Sequence, residues 1–205
     1  MDGPYGRRSP RRTLGSLWGR RGERVGDVVD GSRGVGRMAD AGLGLFTAWA
    51  WVTAVATFLL VIVGAAVVAT GAGLSCGGWP LCEGHVIPHF GGVVVVEWSH
   101  RVGALTVTAL SLVTTITAWR LRLGGPWWKA SVTAMVMLAA QVLLGAIVVD
   151  HLAAWAVVVH EGLGVLLLCV WLGTALFATS RRRAQRAASP SPSAGATQAP
   201  RQASP

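Results

Sequence analysis

The side chains able to do chemistry fall into three clusters. In Glu97-Trp98-Ser99-His100-Arg101 a carboxylate, an imidazole and a guanidinium lie within about one helical turn, and in His160-Glu161 a second imidazole sits in an apolar run. Ionisable groups at membrane depth are costly to keep, which makes them functional candidates by default. An imidazole there can ligate a metal or donate a hydrogen bond between helices. Glu97 can take part in an oxidation or simply neutralise Arg101 one turn away. The third cluster is Cys76-Gly-Gly-Trp-Pro-Leu-Cys82-Glu-Gly-His85-Val-Ile-Pro-His89. In an oxidising compartment Cys76 and Cys82 would close a small disulfide loop, whereas the same run with His85 and His89 could instead offer four zinc ligands. Cys169, deep in an apolar stretch, reads as a small packing residue.

Four elements are needed to position these groups. Of 205 residues, 52% are apolar and 13% charged, and the mean hydropathy is +0.52, which excludes an ordinary soluble surface. A bilayer core of about 30 Å needs roughly 20 apolar helical residues, and the windows 45–69, 93–118, 130–149 and 152–179 satisfy this. Breakers separate them: Gly71, Gly73, Gly77, Gly78 and Pro80, then Gly124-Gly125-Pro126, then a short joint at Asp150 and His151.

Eighteen Lys and Arg against nine Asp and Glu give a net charge of +9, a balance that in a soluble chain would raise nucleic-acid binding. Placement argues against such a partner: nine cations precede Gly42, three fall between Arg120 and Lys129, five follow from Arg181, and only Arg101 lies elsewhere. Cations flanking spans stay on the cytoplasmic side. The expected architecture is therefore an all-α, integral membrane four-helix bundle with both termini cytoplasmic and all five histidines in or near the outer half. The polar, Gly- and Arg-rich segment 1–40 reads as a disordered basic cytoplasmic tail, with Met38 an alternative start, 41–180 as the four-helix domain, and 181–205 as a second disordered cytoplasmic tail. Arg11-Arg12-Thr13-Leu14 is not followed by an apolar region until Leu45, too late for a twin-arginine signal.

His100 and His160 each lie seven or eight residues into spans that run the same way, so at 1.5 Å per residue both reach roughly 10 to 12 Å deep. Such spans are diagonal in an up-down bundle, with axes about 14 Å apart. Two imidazoles bridge that gap only around a third body, and an iron porphyrin fits, although either histidine alone would serve as an interhelical donor. A c-type haem is excluded because no Cys-x-x-Cys-His is present. Ala104, Thr108, Ser111 and Thr115 continue the polar stripe below His100, and Arg101 at the outer rim could meet a propionate.

Taken together, Thr70-Gly-Ala-Gly-Leu-Ser-Cys76-Gly-Gly-Trp-Pro-Leu-Cys82, Glu97-Trp-Ser-His100-Arg101, and Gln141-Val-Leu-Leu-Gly145 followed by His160 resemble the haem A synthase family over residues 61–164. The resemblance implies a haem-dependent oxidoreductase of the cytoplasmic membrane that converts a ring methyl of haem O to the formyl of haem A, the cofactor of terminal oxidases, with a b-type haem handling electrons. It implies His100 and His160 as axial ligands of haem iron, with Arg101 nearby, Glu97 as the catalytic carboxylate and Cys76–Cys82 as a disulfide. Its implied partners are haem O, the farnesyltransferase that supplies it and a membrane electron donor. Val68 stands where the family often has arginine, and Gly77-Gly78 where Pro-Asp is usual. Most members have eight spans in two halves, each with a histidine pair, and this chain resembles a compact four-span type. Two haems and one histidine pair imply a homo-oligomer, packed through small-residue faces around Gly64 or Gly145. The competing reading is a b-type cytochrome that passes electrons to or from quinone without ring chemistry, and a third is a haem-free assembly protein. Glu97 favours the enzyme, since an electron carrier has no need of an intramembrane carboxylate.

Overall fold

The computed structural model describes residues 15–151 and 153–188. It contains four α-helices, α1 (Gly15–Thr70), α2 (Val94–Arg120), α3 (Gly125–His151) and α4 (Ala154–Ala188), with a single 3-10 turn at Ala72–Leu74. Four stretches are long and apolar enough to cross a membrane: Met38–Thr70, Val94–Arg120, Gly125–Val149 and Ala154–Ala188. These lie within a few residues of the expected windows, apart from helical extensions at the two termini.

The chain divides into two units, residues 1–41 and 42–205, and the bundle belongs to the second. In the first, α1 extends upstream to Gly15, into the segment expected to lack order. At the other end α4 continues through Arg181, Arg182 and Arg183 to Ala188, and residues 189–205 lie outside the described part. The physical reason is that extending an existing helix adds one hydrogen bond per residue without the cost of nucleation, so apolar spans carry their polar flanks with them.

The connections follow the breaker residues. Gly71, with φ +67°, ends α1 in the left-handed conformation that a side chain disfavours. Pro126 occupies the first turn of α3, where its missing N–H is no loss. The carbonyl of Ala153 accepts the amides of Ala156 and Val157 and so starts α4.

Inside the bundle, Ala54, Val107, Ala134, Leu138, Leu167 and Trp171 form one apolar cluster, and Leu43, Phe46, Ala118, Trp127 and Ala178 a second nearer the α2–α3 turn. Phe46 meets Trp127 edge-on, with centroids 5.8 Å apart. Alanines at four of the eleven core positions let backbones approach, as lipid-embedded helices require. The outward face is apolar as well: Leu105, Leu143 and Val158 are each about 70% exposed to the surroundings, as suits a lipid-facing surface. One buried side-chain hydrogen bond crosses from α1 to α2, Thr53 Oγ1 to Thr114 Oγ1 at 2.9 Å. Replacing Thr53 by Val keeps the shape and should cost about 0.6 kcal/mol, and at most about 1.7. Reversible unfolding in detergent or bicelles measures this, and adding Thr114→Val to the first change should cost less than it does alone.

Candidate functional site

The site forms at the end of the bundle that carries the α1–α2 and α3–α4 connections. His100 is six residues past the first residue of α2, and His160 six past the first of α4. The equal offset brings the rings level, with centroids 6.4 Å apart and planes at 68°. Each imidazole is backed by a glycine of the preceding helix. A Cβ on Gly64 would stand 3.1 Å from His100 Cε1, and one on Gly145 3.3 Å from His160 Cε1. Those two glycines were expected on an outer packing face between copies. Instead both face the histidine rings inside the bundle, because the imidazoles need the space that a side chain would fill. The Nδ1 atoms of His100 and His160 are buried without a hydrogen-bond partner.

Gln141 of α3 donates through Nε2 to the main-chain carbonyl of His160 at 2.8 Å, and Gly164 leaves room for it, since a Cβ there would lie 2.9 Å from that nitrogen. A helix carbonyl with a side-chain donor holds α3 to α4 at the level of the imidazole. Glu161, one residue beyond His160, reaches α1 at Gly64. Sequence reading left Glu161 without a role, and the only signal was its being ionisable within a span.

Glu97 is buried, 4% exposed. Its Oε1 accepts from Arg101 Nε at 2.8 Å. The same guanidinium donates to the carbonyls of Gly78 and Leu81 at 2.8 and 2.9 Å and, through Nη2, to that of Cys76 at 2.9 Å. Four of its five N–H groups are thereby committed within the protein, and one remains for an external anion such as a propionate. The loop it holds is closed by the Cys76–Cys82 disulfide, with Cys82 and His85 exchanging backbone hydrogen bonds. Trp98 of α2 donates Nε1 to the Val86 carbonyl at 2.9 Å and packs edge-on against Phe90. The zinc alternative fails here: both thiols are in the disulfide, His85 and His89 are exposed, and the described residues contain no group of three or more metal-binding side chains. Side chains of Asp150 and His151 lie outside the described part. Cys169 is exposed on the surface of α4 rather than packed within the bundle. Ser111 of the polar stripe is fully buried, with Thr108 and Thr115 half-buried beside it.

A family model described as cytochrome oxidase assembly protein matches residues 47–91, most of the membrane-length part of α1 and the loop after it. The protein named Heme A synthase of Symbiobacterium thermophilum is 38% identical over 114 residues, which cover 55% of this chain and 37% of that protein. That of Bacillus pumilus is 35% identical over 103 residues, 46% of this chain and 33% of the relative. Over part of its length the chain is similar to the haem A synthases. It is also 35% identical over 103 residues to a protein of Haloarcula marismortui named Protoheme IX farnesyltransferase, covering 50% of this chain and 22% of that one. The matched region spans between about a fifth and two fifths of the length of these relatives. No solved structure matches. Helices and family together make this a multi-pass membrane protein.

Similarity to proteins named Heme A synthase makes haem the group whose fit matters here. Two rings 6.4 Å apart leave room for one atom held at about 2 Å by a nitrogen from each side. The Cε1 and Nδ1 edge of each ring faces its glycine, which leaves Nε2 as the nitrogen for a metal. His100 and His160 therefore fit a metal held in line between them. Arg101, by contrast, is first a loop anchor. Replacing it by Leu removes three donors to loop carbonyls, and charged donors of this kind contribute roughly 1.5–3 kcal/mol each. Protease cleavage within 77–83 should accelerate at least tenfold in detergent, as gel mobility after disulfide reduction would reveal.

Proposed function

We propose that this chain acts in haem A biosynthesis as an oxidoreductase of the cytoplasmic membrane, oxidising a ring methyl of haem O to the formyl of haem A. The observation that carries the reading is the level His100–His160 pair, 6.4 Å apart, each ring backed by a glycine. Similarity to proteins named Heme A synthase supports it. A haem b held by His100 and His160 would supply the redox chemistry of the site. The imidazoles fix the group from α2 and α4, Gly64 and Gly145 keep the rings free to approach it, and Arg101 has one N–H left for a propionate. Glu97 is the carboxylate available to hold a proton released by the oxidation, and its ion pair with Arg101 keeps it oriented toward the outer end. In this reading the Arg-flanked ends, and with them both termini, face the cytoplasm, and the disulfide loop faces outward.

Haem O, the farnesyltransferase that makes it and a membrane electron donor are the partners this function requires. The match to a protein named Protoheme IX farnesyltransferase is in keeping with that setting. Among the described residues one imidazole pair lies within the bundle, while His85 and His89 are exposed in the loop. A second haem is therefore assigned to a second copy in a homo-oligomer. The ion pair of Glu97 with Arg101 favours the second reading, a b-type cytochrome linked to quinone, because it gives the carboxylate a structural task.

Co-expression with a haem O source separates the two. His100→Ala and His160→Ala should each abolish the low-spin bis-imidazole spectrum, and a normal spectrum in either sinks the site. Glu97→Gln should retain haem while the yield of the formyl-bearing pigment falls at least tenfold, since general acid–base groups typically contribute about 10²–10⁴. An unchanged yield assigns Glu97 to loop anchoring alone. Mass measurement of the active species in detergent should give a multiple of one chain, and an active monomer with one haem would defeat the two-copy arrangement.

A further inference from the structure

Glu161 is a carboxylate within an apolar span, and among the described residues it forms no hydrogen bond or ion pair, in contrast to Glu97. An unmatched carboxylate at that depth is costly and calls for a function. Its position follows from helical geometry. One residue is about 100° of turn, so while His160 faces Gly145 of α3, Glu161 faces α1. There its Oε1 lies 3.4 Å from the point a Cβ on Gly64 would occupy, and Nδ1 of His100 lies 3.6 Å from that same point. Thus a carboxylate oxygen and a buried Nδ1 without a partner both approach the same glycine, with no hydrogen bond joining them.

We propose that Glu161 is a positioning residue for His100, its carboxylate accepting the Nδ1 proton across the gap that Gly64 leaves open, so that Nε2 of His100 is the nitrogen presented to the haem iron. The proposal rests on the haem reading above and concerns a residue of α4 acting on a ligand of α2. A ligating imidazole commonly donates its other N–H to a carboxylate or carbonyl, which fixes the ring and makes the ligand more electron-rich. Among the described residues no such carboxylate approaches Gly145, where the nearest atoms to the glycine are those of His160 itself. The two axial ligands would therefore differ in basicity, with His100 the stronger donor. Gly64 is then needed for two reasons, space for the ring and an open path to Glu161.

The test uses the full chain purified with haem b from membranes, as wild type, Glu161→Gln and Glu161→Leu. Potentiometric titration and electron paramagnetic resonance are read on each. The low-spin bis-imidazole spectrum should persist in all three. The Leu variant should favour the ferrous form about tenfold, a rise of ~59 mV for one electron. Gln should rise less, because its amide oxygen still accepts the Nδ1 hydrogen, and the low-field g value should move in the same order. Persistence of the spectrum with unchanged potential and g values in both variants overturns the proposal while leaving the haem site intact. Absence of a bis-imidazole signal in the wild type overturns both. Should the Leu variant fail to insert, the Gln variant decides alone, since it conserves volume.

Discussion

A single guanidinium organises the end of this bundle that carries the disulfide loop. Hydrocarbon offers no water to polar groups, so each must be matched from within the protein, and Arg101 answers several at once: the carboxylate of Glu97 and the carbonyls of Cys76, Gly78 and Leu81. The covalent closure of the loop by Cys76 and Cys82 limits the positions those carbonyls can take. Because Arg101 follows His100 directly in α2, the loop is tied to the helix at the level of the first imidazole. An ion pair that reads in isolation as mutual neutralisation is, in place, the joint between a disulfide-closed loop and the helix that carries His100.

Space is the second constraint. Imidazoles can face each other across a helical bundle only where the neighbouring helices have no side chain, and Gly64 and Gly145 provide this for His100 and His160 respectively. The arrangement is repeated in each helical hairpin: glycine on the ascending helix, histidine on the descending one. That repetition, together with the equal offset of both histidines from their helix starts, is the simplest account of why the rings meet.

The relation to the haem A synthases shapes how these groups are weighed. Two intramembrane carboxylates approach the outer layer, and they differ in surroundings: Glu97 is bound to a cation, whereas Glu161 stands beside a histidine with none. Had both been paired with arginine, a purely structural role would account for each. On the proposed reading their asymmetry divides the labour between holding the loop and tuning a ligand, and it follows from which helix faces each carboxylate meets rather than from residue type.

Much of the fold was legible in the sequence, because membrane spans are set by length and hydropathy. The four windows, the glycine and proline breaks and the level depth of His100 and His160 all depend on one-dimensional distance along a helix of fixed rise. The same regularity made the Glu97-Arg101 turn readable. Helix propagation beyond the apolar windows, to Gly15 and to Ala188, was not readable, since polar composition alone does not reveal that a formed helix upstream or downstream removes the nucleation cost. Nor could spacing show that Arg101 turns to the loop, that Gly64 and Gly145 face inward, or that Glu161 comes to rest beside His100. Those depend on the rotation of each helix about its axis, which only the packing of four faces against one another decides.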